Sequence, residues 1–220
     1  MTDAFLEILI LAAVAGFVFM RLKGVLGTRV GRENPEEWGF GAPSGKPGPA
    51  ADRAEAAPGL PPELGVDPAS PAGRALILGL EADSEFDPAD FMRRAGDAYE
   101  YILLAFEHGE KDDLRPLLAP NVYQSFSHVI DDRTQKGVVV EARLVRILAT
   151  ELKDARFDPA TREMQMDVRF EAELISAARD AAGAVVQGDP TQPRVISDLW
   201  TFSRRLGDAD PNWLLVATGD

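Results

Sequence analysis

There is no cysteine among the 220 residues, which excludes disulfides, thiolate metal sites and cysteine nucleophiles. Histidine is nearly as scarce. His108 and His128, the only two, stand twenty residues apart and make no zinc pair. Gly24 and Gly27 form no phosphate loop, and no Gly-x-Ser-x-Gly elbow occurs. Positive charge is in deficit, with 23 Lys and Arg against 36 Asp and Glu. A net charge of −13 makes a poor counterion for phosphate backbones, so a nucleic-acid partner is not expected. Nothing in this composition calls for a metal or a cofactor.

What is there is unevenly distributed. Nine of the sixteen prolines fall between Pro35 and Pro71, and the aromatics concentrate after Phe86. Net charge is −2 over residues 1–20, +4 over 21–32, −7 over 33–86 and −8 over 87–220. The natural division is an anchor at 1–32, a disordered Pro/Gly-rich acidic linker at 33–86 and a folded domain at 87–220. The last piece is of ordinary domain size and can bury its own core.

Residues 4–20 are apolar except for Glu7, with Phe5, Leu9, Val14, Phe17 and Phe19 as the expected lipid-facing side chains. As a helix they span about 26 Å, slightly less than a hydrocarbon core of about 30 Å. Leu22, Val25 and Leu26 extend the span if Arg21 and Lys23 snorkel to the headgroups. A cleavable signal peptide would want a basic start, and this segment has Asp3 and Glu7 instead. A buried core helix would not usually precede so long a polar, proline-rich stretch. The pattern therefore predicts a single-pass transmembrane helix in contact with membrane lipid. Arg21, Lys23, Arg29 and Arg32 all come after it, which places the N-terminus outside and the rest in the cytoplasm.

The linker composition cannot bury enough apolar surface to offset chain entropy. Two apolar islands interrupt it: Trp38 with Phe40, and ALILGL at residues 75–80, which predicts a short helix docking on the domain or on a second copy.

The domain opens with a helix signature. Asp87 is the expected N-cap, Pro88 takes N1, and Phe86 and Phe91 are placed as a hydrophobic staple. Phe91, Ala95, Tyr99, Ile102 and Phe106 recur at helical spacing until Gly109 stops the helix. A short helix over 113–118 and another capped by Asn121 and Gln124 are expected next, the second carrying Val122, Phe126, Val129 and Ile130. After Gly137 the period becomes two. A strand over 138–152 carries an expected bulge near Leu144 and Val145. Residues 163–174 alternate strictly, with Met164, Met166, Val168, Phe170, Ala172 and Leu174 on one face, as a strand with one buried and one wet face does. Strands over 194–205 and 213–218 complete the set. Helices followed by consecutive antiparallel strands define an α+β domain. A curved sheet around a long helix would enclose Tyr99, Phe106, Phe126, Asp198, Trp200, Phe202 and Trp213, lining a groove or, the commoner arrangement for such aromatics, filling a core.

Ser197-Asp198-Leu199-Trp200-Thr201-Phe202-Ser203-Arg204, followed by Asp210-Pro211-Asn212-Trp213-Leu214-Leu215-Val216-Ala217-Thr218, resembles the C-terminal signature of the bacterial TimA family of Tim44-like domain proteins. Those proteins are relatives of the tether of the mitochondrial presequence-import motor. Phe86-Asp87, the run 183–190 and the membrane exit at 19–27 add to the likeness. The resemblance implies a cystatin-like or nuclear-transport-factor-two-like fold. It also implies an inner-membrane adaptor without enzymatic activity, whose partners are membrane or translocating proteins, with homo-oligomers allowed. No segment matches the region by which the mitochondrial relative recruits a chaperone. The same fold class hosts pocket enzymes and small-ligand carriers, which is the alternative. On that reading Asp198 is the inward acid or base, with Tyr99, Tyr101 or His128 as its partner.

Overall fold

A computed structural model describes residues 59–219. The expected transmembrane residues Phe5, Leu9, Val14, Phe17 and Phe19, the basic flank Arg21, Lys23, Arg29 and Arg32, and residues 33–58 of the expected linker lie outside them.

The described chain begins with a 3-10 turn at Pro62–Leu64 and then forms α1 (Pro71–Ala82). Ser70 caps α1 by accepting from the Gly73 N–H, and Pro71 supplies the preset first turn. Gly73 and Gly79 let α1 pack closely. A Cβ at Gly73 would fall on the backbone of Asp67 and Pro68, and one at Gly79 would press on the Phe86 ring at 3.0 Å. This corrects the linker expected to run to residue 86. Ala75 and Leu76 are buried in the same core as Phe91, Met164 and Leu206, and the described residues belong to one compact unit. The short apolar island at 75–80 is the reason: its apolar side chains repeat at helical spacing and find a sheet to cover.

α2 (Pro88–His108) matches the expected signature closely. The Asp87 carboxylate accepts from the Ala89 and Asp90 N–H groups at 2.9 and 3.1 Å, and Gly109 ends the helix in the left-handed region at φ 79°. Two expectations shift here. The short helix, α3, is Lys111–Leu114 rather than 113–118. The next helix, α4 (Pro120–Gln135), is entered from Ala119 with no side-chain cap, so Asn121 and Gln124 are not its cap. Pro120 already occupies the first turn, where its missing N–H costs nothing. Along α4, Val122 and Ile130 are buried, while Val129 faces water.

Four antiparallel strands come next in sequence order: β1 (Val139–Asp158), β2 (Glu163–Arg179), β3 (Val185–Arg205) and β4 (Leu214–Gly219). β1 and β3 are longer than their alternation predicts. β1 slips register between Leu144 and Arg146, as expected, and again between Ile147 and Ala149 and between Leu152 and Asp154. Each slip breaks the period of two and hides the strand from a pattern search. In β3 the register jumps from Arg194 opposite Leu174 to Asp189 opposite Ser176, which leaves the Pro190–Pro193 stretch outside the ladder.

α1 and α2 both pack on the inner face of this open sheet, and α4 lies against β4. Leu118 bridges Leu215, so residues 117–119 pair with part of the outer edge of β4. On β2 the six predicted inward residues, Met164 to Leu174, are all buried. Their outward neighbours join an ion-paired wet face in which Arg156 reaches Asp154 and Asp167 and Arg146 reaches Glu173.

Candidate functional site

The inner face is organised around one side chain of α2. Tyr99 is fully buried, and its hydroxyl donates to the Asp198 carboxylate at 2.7 Å. Its ring stacks on Phe170 at 4.3 Å and leans on Trp200 at 4.7 Å. Burial, then the hydrogen bond to Asp198 and the charge of that carboxylate, push the Tyr99 phenol far above its usual range. A phenol so held stays protonated at any physiological pH and serves as a permanent donor.

Asp198 reaches this position because it is an inward residue of β3, opposite Phe170 and one step along the same face from Trp200. It is half-buried, at the rim between the aromatic cluster and water. Of Tyr99, Tyr101 and His128 as its partner, the structure selects Tyr99. Tyr101 is 51% exposed, and the nearby Asp113 carboxylate raises its phenol. His128 is exposed on α4. His108 instead sits at the end of α2 with Nε2 3.1 Å from the carbonyl oxygen of Ala142.

The remaining sequence candidates divide into two clusters. Trp200 and Phe202 are buried, and the Phe202 ring meets Phe91 edge-on at 5.8 Å. Trp213 is half-buried and packs on Phe91 at 4.4 Å and Phe86 at 6.1 Å. Phe106 and Phe126 pair with each other at 4.6 Å, between α2 and α4, and are only partly buried. The first group fills the space between α2 and the sheet, and the Phe106–Phe126 pair joins α2 to α4.

Two charged residues that sequence reasoning did not single out complete the second cluster. The Arg133 guanidinium lies over the Phe106 ring at 4.5 Å and 3.7 Å from the Glu107 carboxylate, with its Nη1 buried and without a hydrogen-bond partner. Burial raises the Glu107 carboxyl against the opposing pull of Arg133, Arg194 and His108. These two, with His108, Ile130 and 138–140, border a shallow cleft of about 230 Å³. The only sequence signal for them is position, since Glu107 flanks the apolar stripe of α2 and Arg133 lies one turn beyond Ile130. Among the described residues no cluster of His, Asp and Glu is arranged to hold a metal ion.

The chain matches the Tim44-like domain family model over residues 74–220 and belongs to that family. A human relative, the mitochondrial import inner membrane translocase subunit TIM44, is 24% identical over 133 residues. The match covers 60% of this chain and 29% of the human protein's length. Among solved structures, the intermembrane space region of the chloroplast protein ARC6 aligns with 12% identity over 61% of this chain and 96% of that chain, with a TM-score of 0.42. Among the described residues no helix is long and apolar enough to cross a membrane.

Proposed function

We propose that this chain is a membrane-tethered adaptor whose Tim44-like domain binds protein partners in protein translocation or membrane-protein assembly. The observation that carries the reading is family membership over residues 74–220, together with a relative that is a translocase subunit. In this reading residues 4–20 anchor the chain in the inner membrane, and Arg21, Lys23, Arg29 and Arg32 keep the remainder of the chain in the cytoplasm. Residues 33–58 form the tether. As a flexible coil it spans roughly 28 Å, which confines the domain to the membrane surface and raises its local concentration there. Tyr99, Asp198, Trp200 and Phe202 are framework in this reading, and partners meet the surface that this framework supports.

The test removes residues 1–32 from the chromosomal copy. The adaptor reading expects the domain to accumulate in soluble form while the deletion phenotype persists. Full activity of the untethered domain would refute it. A C-terminal reporter active only in a periplasmic format would reverse the orientation.

A second reading is a pocket enzyme or small-ligand carrier of the cystatin-like or nuclear-transport-factor-two-like class, and one observation favours it. Asp198 faces inward and is hydrogen-bonded to a tyrosine held in its neutral form. On the enzyme reading, Asp198→Asn abolishes function in a protein that still accumulates. On the adaptor reading it complements.

A further inference from the structure

The two helices on the inner face of the sheet are held very unequally. α2 buries Phe91, Ala95, Tyr99, Ile102 and Ala105. α1 buries one large side chain, Leu76, beside Gly73, Ala75 and Gly79, and Leu78 is left 43% exposed. Two interior glycines and a length of 12 residues also make α1 a poor helix on its own. Ahead of it, over residues 59–70, Leu64 alone is buried, with Leu60 and Val66 partly so.

At the C-terminal end of α1 the hold changes character. The Asp83 carboxylate accepts from the Gly207 N–H at 2.9 Å and lies 3.5 Å from the Arg204 guanidinium, with side chains 9% and 12% exposed. Arg162, in the turn between β1 and β2, donates to the carbonyls of Ala82 and Leu206. Among the described residues it is the one non-glycine with a positive φ, 59°. Such a backbone persists only where its surroundings over-determine it. Beyond this clasp the chain re-enters the core at once. Phe86 is buried against Trp213, and Asp87 caps α2 through that helix's own N–H groups.

We propose that α1 is a tension-sensitive strap: a pull on the chain ahead of residue 59 peels residues 60–82 from the sheet, and the clasp at Asp83 stops the peeling. The weakly held part lies on the side that the pull reaches first, and the built contact stands between it and the aromatic core. Peeling uncovers Phe86 and Leu206, which are 3% and 1% exposed. A Cβ at Gly79 would fall 3.0 and 3.4 Å from them, so α1 covers both directly. A pulled domain thus differs from a slack one by an apolar face beside its point of attachment. The inference rests on the adaptor reading only for the source of the pull, since an anchored chain under traction is stretched through its tether.

The absence of native cysteine allows attachment at chosen points. Full-length protein in detergent carrying Ser44→Cys and Ala182→Cys, the latter in the exposed turn between β2 and β3, is stretched between the two thiols in optical tweezers. A first reversible step should release residues 60–82, a gain of up to roughly 80 Å in extended length, before the rest of the domain gives way. Leu76→Ala should lower the force of that step and leave the second unchanged. Arg162→Gly keeps the backbone at ease and removes the guanidinium. It should leave the first step unchanged and shorten the life of the intermediate at constant force at least about tenfold, as loss of hydrogen bonds from a charged donor does. Without tension, the amides of α1 should be at least about tenfold less protected from hydrogen exchange than those of α2, because local opening exposes them first. Rupture of the whole domain in one step overturns the proposal, as does equal protection of the two helices. An intermediate whose lifetime ignores Arg162→Gly overturns the role of the clasp and the proposal with it. None of these readouts uses the membrane or a partner, so failure here is told apart from failure of the adaptor reading, which the deletion of residues 1–32 tests.

Discussion

Strand β2 passes through two environments along its length. From Met164 to Leu174 every second side chain is out of water beneath α1 and α2. Further on, it leads into a hairpin whose residues 181–195 are all exposed, including Val185, Val186 and Val195. Both regions pair antiparallel, though the hairpin's ladder is interrupted at Pro190–Pro193. What separates them is cover: α2 ends at Gly109 and α4 at Gln135. Alternation thus marks a face as apolar, but only a helix of the right length makes that face a core.

The contrast can be broken most forcefully at the covered end. Trp200→Ala should cost about 3–5 kcal/mol, because it empties the space shared with Tyr99, Phe170 and Phe202. Urea denaturation of the full chain measures it, and a loss below about 1 kcal/mol would mean the aromatic cluster adds little to stability. Leu76→Ala, on α1, should cost about 2–5 kcal/mol in the same assay. A linker residue would cost nothing, so this variant tests the placement of α1 in the core.

Tyr99→Phe keeps the ring packing and removes only the hydroxyl that donates to Asp198. Loss of a hydrogen bond to a charged acceptor should cost about 1.5–3 kcal/mol. The same substitution should leave complementation intact once protein levels are matched.

The clasp that holds α1 down has a pH dependence. Burial favours the neutral form of Asp83, but this is outweighed by hydrogen bonds from the Glu85 and Gly207 N–H groups and by Arg204 and Arg162, so its carboxyl lies below the usual range. A folded-state value below the unfolded one adds stability that is present above the unfolded pKa and lost as pH falls through the folded pKa. The urea midpoint should therefore drop on acidification below about pH 4, where free aspartate begins to protonate, and the slope should flatten in Asp83→Asn. An unchanged slope would show that the clasp carries no net charge effect. The smallest change belongs to the bare hairpin, where Val186→Asp should shift stability by less than about 0.5 kcal/mol.

Much of this was legible along the chain. The start and stop of α2 were readable because each cap is local: Asp87 accepts from N–H groups within three residues, and Gly109 ends the helix through its own left-handed backbone. The buried face of β2 was readable because strict alternation survives where no bulge intervenes. Position 198 was readable as inward-facing by its parity with Trp200. Other features depend on residues far apart in sequence. Nothing near residue 75 states that ALILGL has a sheet to cover, because that sheet begins more than sixty residues later. The choice of Tyr99 over Tyr101 and His128 was made by packing, which buries the face of α2 that carries Tyr99 and leaves the other two exposed. Glu107 and Arg133 met only when two helices converged, and Arg162 became a clasp only when its guanidinium reached the carbonyls of Ala82 and Leu206. Local sequence set the backbone's course wherever the deciding atoms were neighbours in the chain. Where they came from different elements, packing decided, since the free energy of burial depends on what arrives at the other side of the contact.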